Sequence, residues 1–249
     1  MGKRRVFVVL GGTGGIGSAV ARQLTEAGAE LAIAARRSAP LEALARELEG
    51  ATTGTLDATD LGQVENFVRA AANAHGGVDG IVNCVGSILL KAAHQTSERE
   101  WRATIAANLD SAFAAVRAGA KVMARDGGSI VLMASAAATV GLPSHEAIAA
   151  AKAGVIGLAR SAAATYASKN IRVNVVAPGL VETPMSAAIT GNEMMLKAST
   201  AMHPLGRIGQ PDEVASLIVY LLSGEASWMT GQVIGIDGGL GSIRGKKSA

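Results

Sequence analysis

The sequence predicts an α/β fold: a doubly wound, seven-stranded parallel sheet with helices on both faces. Three observations point there. Seven short apolar runs alternate with helical patterns along the chain. Strands that alternate with helices build parallel sheets whose two faces are both covered. The first run, Val6-Phe-Val-Val-Leu10, stops at a glycine cluster over 11–17 before an amphipathic pattern begins. The composition, 49% hydrophobic with 31 glycines and only 3% aromatics, suits close packing of helices on a sheet. At 249 residues the chain is long enough for one domain with a substantial core. It contains no internal repeat, low-complexity linker or domain boundary.

Strands are expected at 5–10, 30–35, 51–56, 78–83, 129–135, 171–177 and 233–236, where short apolar or β-branched runs are flanked by turn residues or helical patterns. Helices are expected at 16–27, 40–48, 61–75, 97–125, 145–167 and 211–222. In the first of these, Ile16, Val20, Leu24 and Ala27 recur at helical spacing and Gly28 ends the pattern. Crossovers between parallel strands should be right-handed. Ligands of such sheets bind at the carboxyl ends of the strands. The segments that follow the strands are 11–17, Arg36-Arg37, Asp57, 83–86, 135–138 and 178–185.

The stretch 6–17 reads as strand, tight turn and helix. Glycine lets the backbone turn sharply and lets a phosphate approach the main chain. Free N–H groups at the helix start favour an anion. Gly11, Thr13, Gly14, Gly15, Ile16 and Gly17 are therefore the candidate phosphate-holding residues, and a dinucleotide is the expected ligand of this Rossmann-type turn. Some twenty residues further on, roughly, such folds carry an acid for a ribose 2′-hydroxyl or an arginine for a 2′-phosphate. This chain offers Ala34-Ala35-Arg36-Arg37. No carboxylate is there to repel a phosphate, and Arg36 and Arg37 could pair with one. NADP is expected, with NAD as the alternative.

Other classes are disfavoured. The net charge is +3, and the basic residues are scattered except in the tail Arg244-Gly-Lys246-Lys247, which reads as a solvated terminus. Aromatics are too few for base stacking, so nucleic acid is not an expected partner. No apolar run is expected to span a bilayer, and the five apolar residues after the charged N-terminus are too short for a secretory signal. A lone cysteine, Cys84, fits a reducing cytoplasm and reads as a small core residue at a strand end. Four scattered histidines and one cysteine give no metal-ligand spacing.

Taken in order, these motifs resemble the classical short-chain dehydrogenase/reductase family from about residue 3 to 240. Gly11, Gly15 and Gly17 match the glycines of its TGxxxGxG turn, with Leu10 in place of the threonine. Asp57, with Ala58 beside it, matches the acid of the adenine pocket. Asn83-Cys-Val-Gly86 matches the NNAG segment with two replacements. Asn108, Ser135 and Lys152 match three members of the catalytic tetrad. Pro178-Gly179-Leu-Val181-Glu-Thr183 matches the segment at the nicotinamide end. Thr230-Gly-Gln and Asp237-Gly-Gly match the approach to the last strand and its end. The resemblance implies an NADP-dependent oxidoreductase acting on a carbonyl or alcohol, with a small molecule as its substrate. Lys152 would hold the nicotinamide ribose, Ser135 the substrate, and Asn108 a proton-relay water in a locally irregular helix.

The family's tyrosine should lie four residues before the lysine, and that position is Ile148. Isoleucine cannot carry a proton, and general acid catalysis contributes about 10²- to 10⁴-fold. Tyr166 has the wrong spacing, and Tyr220 reads as core. His145 is a candidate substitute donor, because positions 145, 148 and 152 share one helix face. Glu146 reads as a helix-start acid that complements the dipole. Without a donor, the chain would be a nucleotide-binding protein without redox turnover, or a lyase or isomerase. Residues 186–207, with Met194, Met195 and Met202, resemble the family's substrate lid, and an apolar or bulky substrate follows. Two alanine-rich helices resemble the family's dimer interface, and a homotetramer or homodimer is expected.

Overall fold

The computed structural model describes residues 4–243; the basic tail at 244–247 lies outside them. Seven parallel strands form one sheet in the order β3-β2-β1-β4-β5-β6-β7. They are β1 (Val6–Leu10), β2 (Glu30–Ala35), β3 (Thr52–Thr55), β4 (Gly80–Asn83), β5 (Gly128–Met133), β6 (Ile171–Pro178) and β7 (Val233–Ile236). Strand β1 pairs with β2 on one side and β4 on the other, so the chain reverses its direction of growth there. The carboxyl ends of β1 and β4 thereby frame a crevice, the expected position for a ligand.

Alternate residues of β1 point to opposite faces. Val6, Val8 and Leu10 join a core with α3 (Leu61–His75), α5 (Ser111–Val122) and α6 (Glu146–Tyr166). Phe7 and Val9 join a second core with α1 (Gly15–Glu26), α2 (Ser38–Glu47) and α9 (Pro211–Leu222). All five β1 residues are buried, as a strand covered on both faces requires.

Several expectations are corrected. The helical pattern at 97–125 is two helices, α4 (Glu98–Ile105) and α5, joined by a π-helical segment at Ala106–Asp110. Apolar spacing alone does not register one extra residue per turn. Strand β5 ends at Met133, and Ser135 instead N-caps a short 3₁₀ turn at Ala136–Ala138, its Oγ accepting from the Ala137 N–H at 3.2 Å. Tyr220 is exposed on α9 rather than in the core. The segment 146–169 is long and apolar enough by composition to cross a bilayer, contrary to expectation, but half of its most apolar window is buried. Ala151, Val155 and Ala159 of α6 lie in the sheet core.

Candidate active site

Two adjoining cavities open at the carboxyl ends of the strands. The first, of about 200 Å³, is walled by Gly14–Gly17 of the turn, Cys84–Ile88 after β4, Asn108, Ser135, Ile148, Lys152 and the loop from Pro178. The second shares Ile88, Ser135, Ile148, Gly179 and Leu180 and is mostly apolar, with Leu142, Ile189 and Met202 beside His145, Ser199 and His203.

The glycine turn is fixed by its backbone. Gly11 and Gly12 both donate to the Ala34 carbonyl, at 2.8 and 3.0 Å. Gly11 has φ +77°, and an added Cβ there would sit 2.9 Å from the Val85 nitrogen. A Cβ at Gly17 would overlap the Gly11 carbonyl oxygen, and one at Gly15 would lie 2.7 Å from Thr183 Cγ2. Helix α1 starts at Gly15 without a side-chain cap, so its first N–H groups are left to a ligand. This turn, which any side chain at 17 would force apart by striking the Gly11 and Gly12 backbone, leaves a cradle of main-chain groups that fits a diphosphate.

Farther out, Arg36 and Arg37 are exposed, and neither takes part in an ion pair among the described residues. Asp57 is exposed, its Oδ1 accepting from the Thr59 N–H and hydroxyl, both at 2.9 Å. Ala58 beside it is buried. Asn83 is buried and built into the frame: Nδ2 donates to Ser111 Oγ at 3.0 Å and Oδ1 accepts from the Val85 N–H at 3.2 Å.

Asn108 lies in the π segment, a feature that commonly re-aims side chains at functional sites. Its Nδ2 donates to the Thr104 carbonyl at 2.9 Å and to Ser87 Oγ at 3.0 Å, while Oδ1 accepts from the Ser87 N–H at 3.1 Å. A Cβ on Gly86 would lie 2.8 Å from Asn108 Oδ1 and 3.5 Å from Lys152 Nζ. Only glycine therefore lets these two groups approach the same patch. Lys152 is 7% exposed, and its ammonium donates to the Met133 carbonyl at 2.8 Å. Burial pushes it down from 10.5 to about 8, against a weaker opposing pull from Cys84. Burial pushes the Cys84 thiol up to about 12, opposed by Lys152. Cys84 is half-buried just past β4, packed against the second core on one side and lining the cavity wall on the other.

The structure thus brings Ser135, Asn108 and Lys152 to one cavity with the glycine turn, and Pro178, Gly179, Val181 and Thr183 to its far wall. It does not bring His145 there. His145 is the non-helical residue before α6, with φ −111° and ψ 10°. Its Nδ1 donates to the Pro143 carbonyl at 2.7 Å, which leaves the lone pair on Nε2, and it lines the second cavity only. Met194 and Met195 are exposed on α8 (Glu193–Met202), which buries none of its residues; Met202 alone of the three lines a cavity.

One residue escaped the sequence reading. His203 is 3% exposed. Its Nδ1 donates to the Ser199 carbonyl at 2.7 Å, and Nε2 accepts from the Leu180 N–H at 3.1 Å. The ring therefore ties the end of α8 to the loop after β6. No spacing could have revealed this, because both partners are main-chain groups and one lies 23 residues away.

A family profile described as enoyl-(acyl carrier protein) reductase matches residues 11–241. The 3-oxoacyl-acyl-carrier-protein reductase FabG of Thermotoga maritima is 36% identical over 241 residues, covering 95% of this chain and 97% of that protein. A short-chain type dehydrogenase/reductase from Mycobacterium ulcerans superposes with a TM-score of 0.93 at 32% identity, over 98% of this chain and 93% of the other. A variant of the actinorhodin polyketide ketoreductase, solved with NADPH, superposes with a TM-score of 0.91 at 31% identity, over 96% and 98%.

Proposed function

The chain belongs to the short-chain dehydrogenase/reductase family and is an oxidoreductase of that kind; on that premise we propose that it uses NADP to interconvert a carbonyl and an alcohol, with an altered proton donor. One observation carries the reading: Ser135, Asn108 and Lys152 converge on a cavity whose other wall is the start of α1.

When bound, the nicotinamide supplies or accepts hydride. The diphosphate would rest on the main chain of Gly14–Gly17, the adenine near Asp57 and Ala58, and the nicotinamide against Pro178–Thr183. Arg36 and Arg37, with no acid partner, favour a 2′-phosphate, and the ketoreductase neighbour carries NADPH. Ser135 Oγ would hold the substrate oxygen, and Asn108 would hold a water. Ile148, only 6% exposed, puts hydrocarbon where the family resemblance calls for a phenol. Together with the second cavity it favours an apolar carbonyl compound. With Nδ1–H engaged, His145 could give a proton only from Nε2, as an imidazolium at the rim of the second cavity. A cytoplasmic location and a homotetramer complete the reading. The solvent-exposed aromatics Trp101, Phe113, Tyr220 and Trp228 are candidate surfaces for such an assembly to cover.

The test combines binding and turnover. NADPH should bind at least tenfold tighter than NADH, a difference of about 1.4 kcal/mol, and Arg36→Ser with Arg37→Ser should abolish it. Tighter NADH binding refutes the preference. NADPH oxidation against a carbonyl panel should be seen in the wild type and should survive His145→Ala if the histidine is not the donor. A silent wild type with an active Ile148→Tyr would instead mark a site that binds nucleotide without turnover. Light scattering that finds a monomer would remove the tetramer.

A further inference from the structure

We propose that Lys152 is itself the proton donor of the reaction, handing a proton from Nζ to the substrate oxygen directly or through one water held by Asn108 and Ser135. The inference rests on the oxidoreductase reading above and goes beyond it by naming the acid.

Among the described residues that wall the first cavity there is no tyrosine, histidine, aspartate or glutamate. Two ionisable side chains remain, Cys84 and Lys152. From β5, Lys152 faces only the Met133 carbonyl. The π segment presents Asn108, whose Oδ1 reaches the same patch over Gly86. The loop after β6 turns Pro178, Gly179, Leu180, Val181 and Thr183 toward the cavity, and none of them is charged. Cys84 is thus the one titratable group that faces the amine.

An ammonium has three N–H bonds. One is spent on Met133, and no described ion pair includes Lys152. Two N–H bonds are left for the cavity. A buried cation with a single carbonyl partner is costly, and desolvation lowers its pKa to about 8. Such an ammonium is a far stronger acid near neutrality than the Cys84 thiol, which stands at about 12, and it lies in the range where general acids are effective.

With hydride delivered to the substrate carbon, the carbonyl π pair would move to oxygen and call for a proton there. One Nζ–H bond breaks, an O–H bond forms, and Lys152 is left as a neutral amine. Solvent returns the proton. Oxidation runs the same steps backward, with the neutral amine as base.

Arginine separates this assignment from simple holding of the cofactor, since a guanidinium keeps charge and hydrogen bonds but does not release its proton. Lys152→Arg should bind NADPH within about threefold of wild type yet lose about 10²- to 10⁴-fold in kcat for reduction of apolar ketones. Wild-type reduction should fall about tenfold per pH unit above the amine's pKa. Lys152→Ala should be rescued by added primary amines, with rates that depend on the amine's own pKa. Without nucleotide, NMR of ¹³Cε-labelled lysine should show one amine titrating near 8, absent from Lys152→Arg. Turnover of Lys152→Arg near the wild-type level, a flat pH profile, or rescue indifferent to amine pKa overturns the assignment while leaving the oxidoreductase reading intact. Failure to bind NADPH, or binding without reduction of any ketone, overturns both.

Discussion

The glycine turn and the 186–207 segment flank the same pair of cavities and are held by opposite means. The turn is fixed by its own backbone: Gly14 donates to Gly11 at 3.1 Å, and Gly17 packs so closely on Gly11 that no side chain fits. The other segment has an α8 that buries nothing, and its end is tied down by the His203 imidazole, by the Leu205 N–H donating to the Gly238 carbonyl and by the Arg207–Glu213 ion pair. The difference teaches where each half can change. A phosphate is the same in every dinucleotide, so its cradle can be rigid. A substrate wall that must open or adapt is drawn from the less stable parts of a fold.

The largest way to break this contrast is Gly17→Ala. One methyl group should weaken NADPH binding at least 100-fold, about 3 kcal/mol, measured by fluorescence titration. Gly14→Ala is the graded comparison: its added Cβ would meet the Gly11 oxygen at 3.3 Å, tighter than an ordinary contact but short of the overlap at Gly17, so affinity should fall by less than in Gly17→Ala.

Lys152→Met is next, with opposite effects on stability and activity. The ammonium's fall from 10.5 to about 8 corresponds to about 3 kcal/mol of burial cost at neutral pH. Loss of the bond to Met133 returns about 1 kcal/mol, so the variant should be about 2 kcal/mol more stable at pH 7 while losing turnover. The folded lysine has the lower pKa, so the unfolded chain binds more protons between pH 8 and pH 10.5. Wild-type stability from this group rises through that window. Chemical denaturation of both proteins at several pH values should show their difference shrinking as pH rises.

His203→Phe tests the second region. It leaves the Leu180 N–H and the Ser199 carbonyl without their partner, for a loss of about 1–3 kcal/mol. The effect should fall on KM for the ketone more than on NADPH affinity. The smallest effect expected is that of Met194→Ser. Met194 is 81% exposed, and the melting temperature should imply a change within about 0.5 kcal/mol. A larger loss would mean that α8 is covered in the working assembly.

Much of this architecture was legible beforehand because it is written in local pattern. All seven strands and the helices at 61–75 and 211–222 fall where apolar runs and periodicity put them. Position 148 could be read off by counting back from Lys152. Asn108 was legible as an awkward residue within a helix, but the π segment around it was not, since no residue type marks it; it lies where α4 and α5 pack against α6. The family resemblance supplied the site residues; the structure supplied their distances and the displacement of His145 to the neighbouring cavity.

The order of residues alone set the alternation of strand and helix, the glycine turn, two arginines with no adjacent acid, and isoleucine at 148. Those are properties of side chains and their spacing along the chain. Only the tertiary structure decided that Lys152 is buried against the Met133 carbonyl, that Gly86 lets it share a patch with Asn108, and that His203 clasps a loop 23 residues away. Each of these depends on main-chain atoms or on desolvation. A carbonyl oxygen is the same in every residue and burial belongs to no residue alone, so neither leaves a mark in the order of the amino acids.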